Sequence, residues 1–271
     1  MIKSKTWLLI EKFKKEREQY ETYTSRITHE KVAFAQSRTG DKDIKILKLV
    51  NMLKICTSSQ IAKVTFRNQT HQQRYCNTHL KKLFNLGCID RFFPFVEHGS
   101  PQAHIVLAPI GARLIQEENF RKITTLNQNW KHLVASNEVF CHISSQYKVT
   151  NCSFEISLEW ENKSITKKLR SDLFCGFIKN DCPIFIMVEI DLGTEPISEL
   201  YKKVNQYNCY FQNNQFKSDY WQPMKEKSVA VIPSIVFILN DEKRKENLSK
   251  FINKQENVAK FHVQTFDNLS F

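Results

Sequence analysis

The chain has 271 residues, 41% hydrophobic content and a formal net charge of +12, enough for one or two globular domains with a sizeable core. No apolar run approaches the roughly 18 residues of a membrane helix. Trp7-Leu8-Leu9-Ile10 is too short for a signal-peptide core and runs into Glu11-Lys12, which points to a cytoplasmic protein without a membrane partner. The eight cysteines include no CxxC pair, so neither a zinc ribbon nor a disulfide framework is signalled.

The charge is unevenly placed. Residues 1–130 carry 22 Lys and Arg against 11 Asp and Glu, whereas residues 131–271 carry 18 against 17. The basic half calls for an anionic partner. Double-stranded DNA is favoured over anionic lipid, because no basic amphipathic helix with a strong apolar face stands out.

Residues 1–40 read as a charged N-terminal arm with a helix from Lys5 to about Tyr23, its wet face carrying Lys12, Lys14, Lys15 and Arg17. Gly40-Asp41 marks a boundary, and residues 41–125 read as one domain. From Ile44, Leu47, Val50 and Leu53 recur at helical spacing to near Ile55. Thr57 stands three residues before Gln60, a capping-box spacing that opens a second helix, and Thr70 with Gln73 repeats it before a third.

In that third helix Cys76, Leu80, Leu83 and Phe84 make one buried stripe. The other faces carry the candidate DNA contacts His71, Gln72, Arg74, Asn77, Thr78, Lys81 and Lys82. Amides and guanidinium near a helix N-terminus hydrogen-bond base edges in a major groove, and lysines a turn later suit phosphates. Gly87 supplies a left-handed cap. Residues 88–93, a turn containing Gly99 and Pro101, and residues 104–107 add a hairpin. Three helices and a hairpin describe a winged helix-turn-helix, a shape that also serves as a protein-docking module.

Residues 126–271 read as a second, α/β domain. Helices are expected over residues 111–120, before this boundary, and over residues 130–144, the latter carrying Asn137 and Glu138. Phe154, Ile156, Leu158 and Trp160 alternate with Glu155, Ser157 and Glu159, as in a half-buried strand. Two more strands follow, residues 169–178 with Asp172 and residues 184–191 ending in Glu189-Ile190-Asp191. The side-chain period of a strand is two, so Glu189 and Asp191 share a face and strand pairing brings Asp172 beside them. Three carboxylates gathered there suit Mg²⁺ or Mn²⁺ and metal-assisted phosphodiester cleavage. Such acids equally mark solvated strand ends.

A helix follows Pro196, with Lys203, Gln206, Tyr207 and Tyr210 on one face. Residues 229–239 read as a buried strand bent or at an edge at Pro233, residues 241–253 as a helix and residues 261–266 as a closing strand. The single helix between the third and fourth strands makes a parallel, right-handed crossover.

This order resembles the PD-(D/E)XK nuclease-like superfamily, whose sites hold a divalent metal between such carboxylates. Ser171 stands where the superfamily often has proline, and Asp191 where the lysine of its E-x-K element is expected; Lys203 is the substitute cation. Gln206 to Tyr210 fits the Q-x-x-x-Y element of some exonuclease branches. From about Ile44 to Phe211 the chain resembles the replication-relaxation family of plasmid and mobile-element proteins. The resemblance rests on Gln60-Ile61-Ala62, Leu80-Lys81-Lys82-Leu83 with Gly87-Cys88-Ile89, Leu107 to Gly111-Ala112, His132 with Asn137, and Ser171-Asp172 leading to residues 189–195.

It implies an α+β winged helix-turn-helix followed by an α/β restriction-endonuclease-like domain that nicks or opens DNA near an origin. The catalytic set would be Asp172, Glu189, Asp191, Lys203 and Gln206. Asp172, Glu189 and Asp191 would be the metal ligands, and His132 and Asn137 would lie close by. Replication proteins and a second copy of the chain are further candidate partners. The alternative is a non-catalytic DNA-binding regulator or replication accessory factor whose inactive nuclease-like half binds proteins, which the missing E-x-K lysine favours.

Overall fold

The structure, a computed structural model, describes residues 5–94, 102–126, 129–162, 165–219, 221–222 and 230–271. The expected turn at Gly99 and Pro101, and Val229, lie outside the described residues. The chain divides into two compact units, residues 1–137 and 138–271. No helix among the described residues is long and apolar enough to cross a membrane.

The first unit contains α1 (Lys5–Thr24), α2 (His29–Arg38), α3 (Asp41–Leu53), β1 (Ile55–Thr57), α4 (Ser58–Thr65), α5 (Gln72–Asn85), β2 (Ile89–Phe92), β3 (His104–Leu107) and α6 (Pro109–Leu114). Its three strands form an antiparallel sheet in the order β1-β3-β2. The arm expected over residues 1–40 holds two helices, and α1 is more than a solvated surface. Tyr20 is buried and stacks on Phe84 of α5, with ring centroids 4.5 Å apart. Arg17 Nη1 donates to the buried Asp90 of β2 at 2.5 Å.

The α3 stripe runs through Asp43, Ile46, Leu47, Val50 and Leu53, all buried, so an acid occupies one of its core positions. Lys54, at φ +61°, turns the chain into β1. Thr57 and Gln60 form the expected capping box of α4. No such box opens α5: His71 is its N-cap without a side-chain bond, and Gln73 Nε2 instead donates to Ser58 and Asn77. The helix expected to reach residue 120 stops at Leu114, because Gln116 takes a left-handed conformation, φ +58°.

The second unit begins inside α7 (Trp130–Gln146) and continues with β4 (Lys148–Asn162), β5 (Ile165–Lys179), β6 (Cys182–Asp191), α8 (Ile197–Gln212), β7 (Ser234–Leu239), α9 (Glu242–Ile252) and β8 (Phe261–Thr265). The sheet order is β4-β5-β6-β7-β8. The first three strands form an antiparallel meander, and β7 and β8 continue parallel to β6 after the crossovers α8 and α9. The β5–β6 hairpin turns on Asn180 and Asp181, both at positive φ, the geometry that matches the twist of paired strands. Pro233 lies just before β7 rather than bending it; a proline has no N–H for a strand paired on both sides.

The core includes Met187, Leu200, Val204, Phe237, Leu248 and Ile252, where α8 and α9 pack on the sheet. The end of α7 supplies Phe140 against Phe154, with ring centroids 6.0 Å apart. The β4–β5 register shifts between Val149 and Asn151. From Phe154↔Leu173 to Ile156↔Ser171 the register is kept, and Glu155 between them has φ +53°. Leu169 and Phe174, of opposite parity, reach the same core.

Gly87 sits at φ +67° behind α5, where Gly87 N–H donates to Phe84 O and Cys88 N–H to Leu83 O, a Schellman cap. A Cβ there would stand 3.0 Å from Thr24 Cγ2 and 3.1 Å from Ile110 Cδ1. Gly87→Ala is expected to cost about 1–2 kcal/mol from the backbone conformation alone, before any side-chain crowding. Urea unfolding measures it, and an unshifted midpoint would show that the cap is dispensable.

Candidate functional site

Two surfaces carry the residues singled out by the sequence. On α5, His71, Arg74, Asn77, Thr78 and Lys81 are exposed and Gln72 is half-buried. Lys82 is engaged from below: its Nζ donates to Asp43 Oδ2 at 2.6 Å, while His79 Nδ1 lies 2.6 Å from Asp43 Oδ1. Burial alone would push the Asp43 carboxyl up, but the bonds from His79, Lys82 and the Gly40 N–H hold it below the usual carboxylate range. Asp43 therefore fastens α5 to α3. The reading of the stripe from Ile44 onward passed over it, although Asp43 stands four residues before Leu47 and seven before Val50. Tyr75, half exposed beside Arg74, is a further surface aromatic that the reading of polar residues passed over.

The second surface lies where β6 runs out towards α8. The β5–β6 register places Leu173 opposite Val188, so Asp172 and Glu189 come next on the two strands. Asp172 is half-buried, and its Oδ2 accepts the Ile190 N–H at 2.7 Å. Glu189 is only 1% exposed and is reached from α8 by two donors, Lys203 Nζ to Oε2 at 2.6 Å and Tyr207 Oη to Oε1 at 2.5 Å. The spacing of four residues between Lys203 and Tyr207 puts both on one helical face. Ser171 donates to Val188 O and also reaches the Tyr207 hydroxyl.

Burial pushes the Glu189 carboxyl up to about 7, and the charge of Asp172 adds to the rise; Lys203 and Tyr207 restrain it. Burial works the other way on Lys203, yet Glu189, Asp172 and Glu195 outweigh it and hold the ammonium above its ordinary range. Tyr207 is raised well above the usual phenol value, by burial first and Glu189 second, so it stays a donor.

Asp191 does not join this cluster. Its Oδ1 accepts the Gly193 N–H at 3.0 Å and its Oδ2 accepts Arg244 Nε at 2.6 Å. Arg244 Nη2 also donates to Glu195 O at 2.9 Å, and Asn240 Nδ2 to Leu192 O at 3.0 Å. Together they fasten the loop between β6 and α8. Gly193 fits there at φ +78°, where a Cβ would come within 2.6 Å of Asn240 Nδ2. Among the described residues no group of three or more His, Cys, Asp or Glu is arranged to hold a metal ion. The expected trio is thus an opposed pair, Asp172 and Glu189, with the third acid neutralised by an arginine 53 positions away.

Other expectations fare differently. Asn137 is buried in the first unit, where its Nδ2 donates to Leu53 O and Ile55 O at 2.9 and 2.7 Å; its amide closes the turn at Lys54 rather than serving the acids. His132 is half-buried on α7, and its carbonyl accepts the Ser136 hydroxyl. Glu138 is half-buried on the same helix. Gln206 is half-buried on α8, just before Tyr207. Two carboxylates, one of them half exposed, fit a hard ion such as Mg²⁺, which commonly takes one or two protein carboxylates and completes its shell with water and substrate.

Residues 47–222 match the replication-relaxation family. The chain belongs to that family. The replication-relaxation match takes in α5, Asp172, Glu189 and Lys203, while Arg244 lies beyond it. The chain is also similar to a solved structure of the restriction endonuclease FokI bound to DNA, at 10% identity and a TM-score of 0.30, over 83% of this chain. It spans 42% of that protein's chain. No curated protein matches.

The Glu189–Lys203 pair gives stability a defined pH dependence. An acid whose folded pKa is raised is tolerated best when protonated, so removing its counter-charge is felt as pH rises. Lys203→Met is expected to destabilise little at pH 5. At alkaline pH, where Glu189 must ionise alone, the loss is expected to approach the roughly 3–5 kcal/mol of a broken buried pair. Urea unfolding at pH 5 and pH 8.5 tests this, and a penalty independent of pH would contradict the assignment.

Proposed function

We propose that this replication-relaxation protein binds double-stranded DNA of a plasmid or mobile element and nicks it with a divalent metal at the Glu189 end of β6. The observation that carries the reading is the Lys203 ammonium, 2.6 Å from Glu189, beside the Asp172–Glu189 pair. It supplies, from α8, the cation that Asp191 has displaced from the strand.

In this reading residues 41–125 are a winged helix-turn-helix built from α3, α4, α5 and the β2–β3 hairpin, and residues 126–271 are the restriction-endonuclease-like domain. His71, Gln72, Arg74, Asn77 and Thr78 meet base edges, and Lys81 meets a phosphate. Lys82 holds α5 against Asp43, its ammonium near enough to the surface to add charge. Asp172 and Glu189 would hold Mg²⁺ or Mn²⁺, which would supply Lewis-acid stabilisation and an activated water. Tyr207 fixes the Glu189 carboxylate, Lys203, turned outward from Glu189, stabilises from the solvent side the charge that builds on the phosphate, and Gln206 donates to the DNA backbone. Asp191 supports them by tying the β6–α8 loop to Arg244.

Arg74→Ala with Lys81→Ala is expected to weaken DNA binding and to reduce its salt slope by about 1 for each side chain withdrawn from a phosphate. Fluorescence anisotropy across a salt series measures both, and unchanged affinity would remove α5 from the interface. Supercoiled plasmid incubated with Mg²⁺ or Mn²⁺ tests the chemistry: wild type yields open circles and Glu189→Ala does not. Wild-type protein that shifts DNA in a gel and leaves it uncut with either metal would instead indicate a DNA-binding regulator on an inactive nuclease-like scaffold.

A further inference from the structure

We propose that Lys203 is the resident cation of the Asp172–Glu189 pair, so that its ammonium and a divalent metal ion are alternative occupants of one place and the ion enters as Lys203 swings out. This deepens the preceding reading and rests on it for the claim that the two carboxylates take a metal.

The geometry is specific. Lys203 Nζ lies 2.6 Å from Oε2 of Glu189, a carboxylate that is 1% exposed. Asp172 follows Leu173 on the strand paired with β6, and its charge acts on both Glu189 and Lys203. Glu195, in the loop leading into α8, acts on the same ammonium. One bonded carboxylate and the charges of two further acids thus act on one cation. A divalent ion seeks the same oxygens, and placing it beside an ammonium already bonded to Oε2 would set like charges a few ångströms apart in a poorly solvated place.

The alternative acid is closed by a less mobile partner. Arg244 is fastened twice, to Asp191 Oδ2 and to Glu195 O, and its release would free the β6–α8 loop. Lys203 makes its contact through a flexible four-carbon stem and is 24% exposed, so its head can turn to solvent while α8 stays packed through Leu200 and Val204. Tyr207 remains on Oε1 and keeps Glu189 oriented during the exchange. One side-chain movement therefore converts a charge-closed site to an open one. A lysine standing permanently beside the metal requires no such movement.

Isothermal titration with Mn²⁺ at pH 8 compares wild type, Lys203→Met and Asp172→Asn. Removing the internal competitor is expected to tighten Mn²⁺ binding by about tenfold or more, since apparent affinity scales with the fraction of open site. Asp172→Asn is expected to weaken it. A second measurement avoids dependence on the folding of the methionine variant: in the wild-type protein, Mn²⁺ is expected to accelerate acylation of Lys203 by an amine-reactive reagent, read by peptide mass spectrometry, with Lys202 as the internal reference. Equal or weaker binding by Lys203→Met, or acylation of Lys203 that Mn²⁺ leaves unchanged or slows, overturns the exchange while leaving a metal-binding wild type intact. Absence of Mn²⁺ binding by wild type and Lys203→Met alike overturns both the exchange and the metal-dependent reading beneath it.

Discussion

A buried carboxylate must be answered, and Glu189 sets the terms on which the second unit is built. It lies near the end of a central strand, 1% exposed, and water cannot stabilise its charge. The answer comes from α8, the crossover that follows the same strand. Lys203 and Tyr207, one helical turn apart, reach the two carboxylate oxygens. That requirement constrains the rotation of α8 on the sheet, and the apolar residues Leu200, Val204 and Phe211 follow the same inner side. Packing and electrostatics thus agree on one orientation, the consistency expected of a sequence that specifies a single structure.

The first unit uses the same device. Asp43 occupies a core position of α3 and is answered by His79 and Lys82 of α5, the helix whose outer face carries Arg74, Asn77 and Lys81. Asp90 repeats it on β2 with Arg17 of α1. In each case the acid sits on the packed side of its element and the cation arrives from a helix. Cations that a count of charges assigns to solvent or to a partner are in part committed to internal acids. The basic surplus of the first half is therefore a property of the sequence, and part of it is engaged with internal acids rather than displayed at the surface.

Loops and turns complete the placement of these elements. Gly87 lets the chain leave α5 and enter β2 while pressed against Tyr23 and Thr24, which a side chain would disturb. Gly193 does the same between β6 and α8, where Asp191, Asn240 and Arg244 hold the loop from three sides. Asp191 thus has an evident structural use: it anchors the entry to the helix that carries Lys203.

Much of this was legible in the amino-acid order. The stripe of Cys76, Leu80, Leu83 and Phe84, the alternation from Phe154 to Trp160 and the cap at Gly87 are local patterns, each fixed by residues within a turn or a strand of one another. That strand pairing brings Asp172 beside Glu189 followed from the same patterns, and the helical spacing of Lys203 and Tyr207 was visible with it. The sequence left open which cation meets which acid. Lys82 lies 39 positions from Asp43 and Arg244 lies 53 from Asp191, and no period links such pairs. The capping spacing at Thr70 and Gln73 was equally a local pattern, but tertiary contacts drew Gln73 to Ser58. Local periodicity determines elements and faces; strand register and helix crossing bring distant charges to within hydrogen-bonding distance, and only the folded chain decides those.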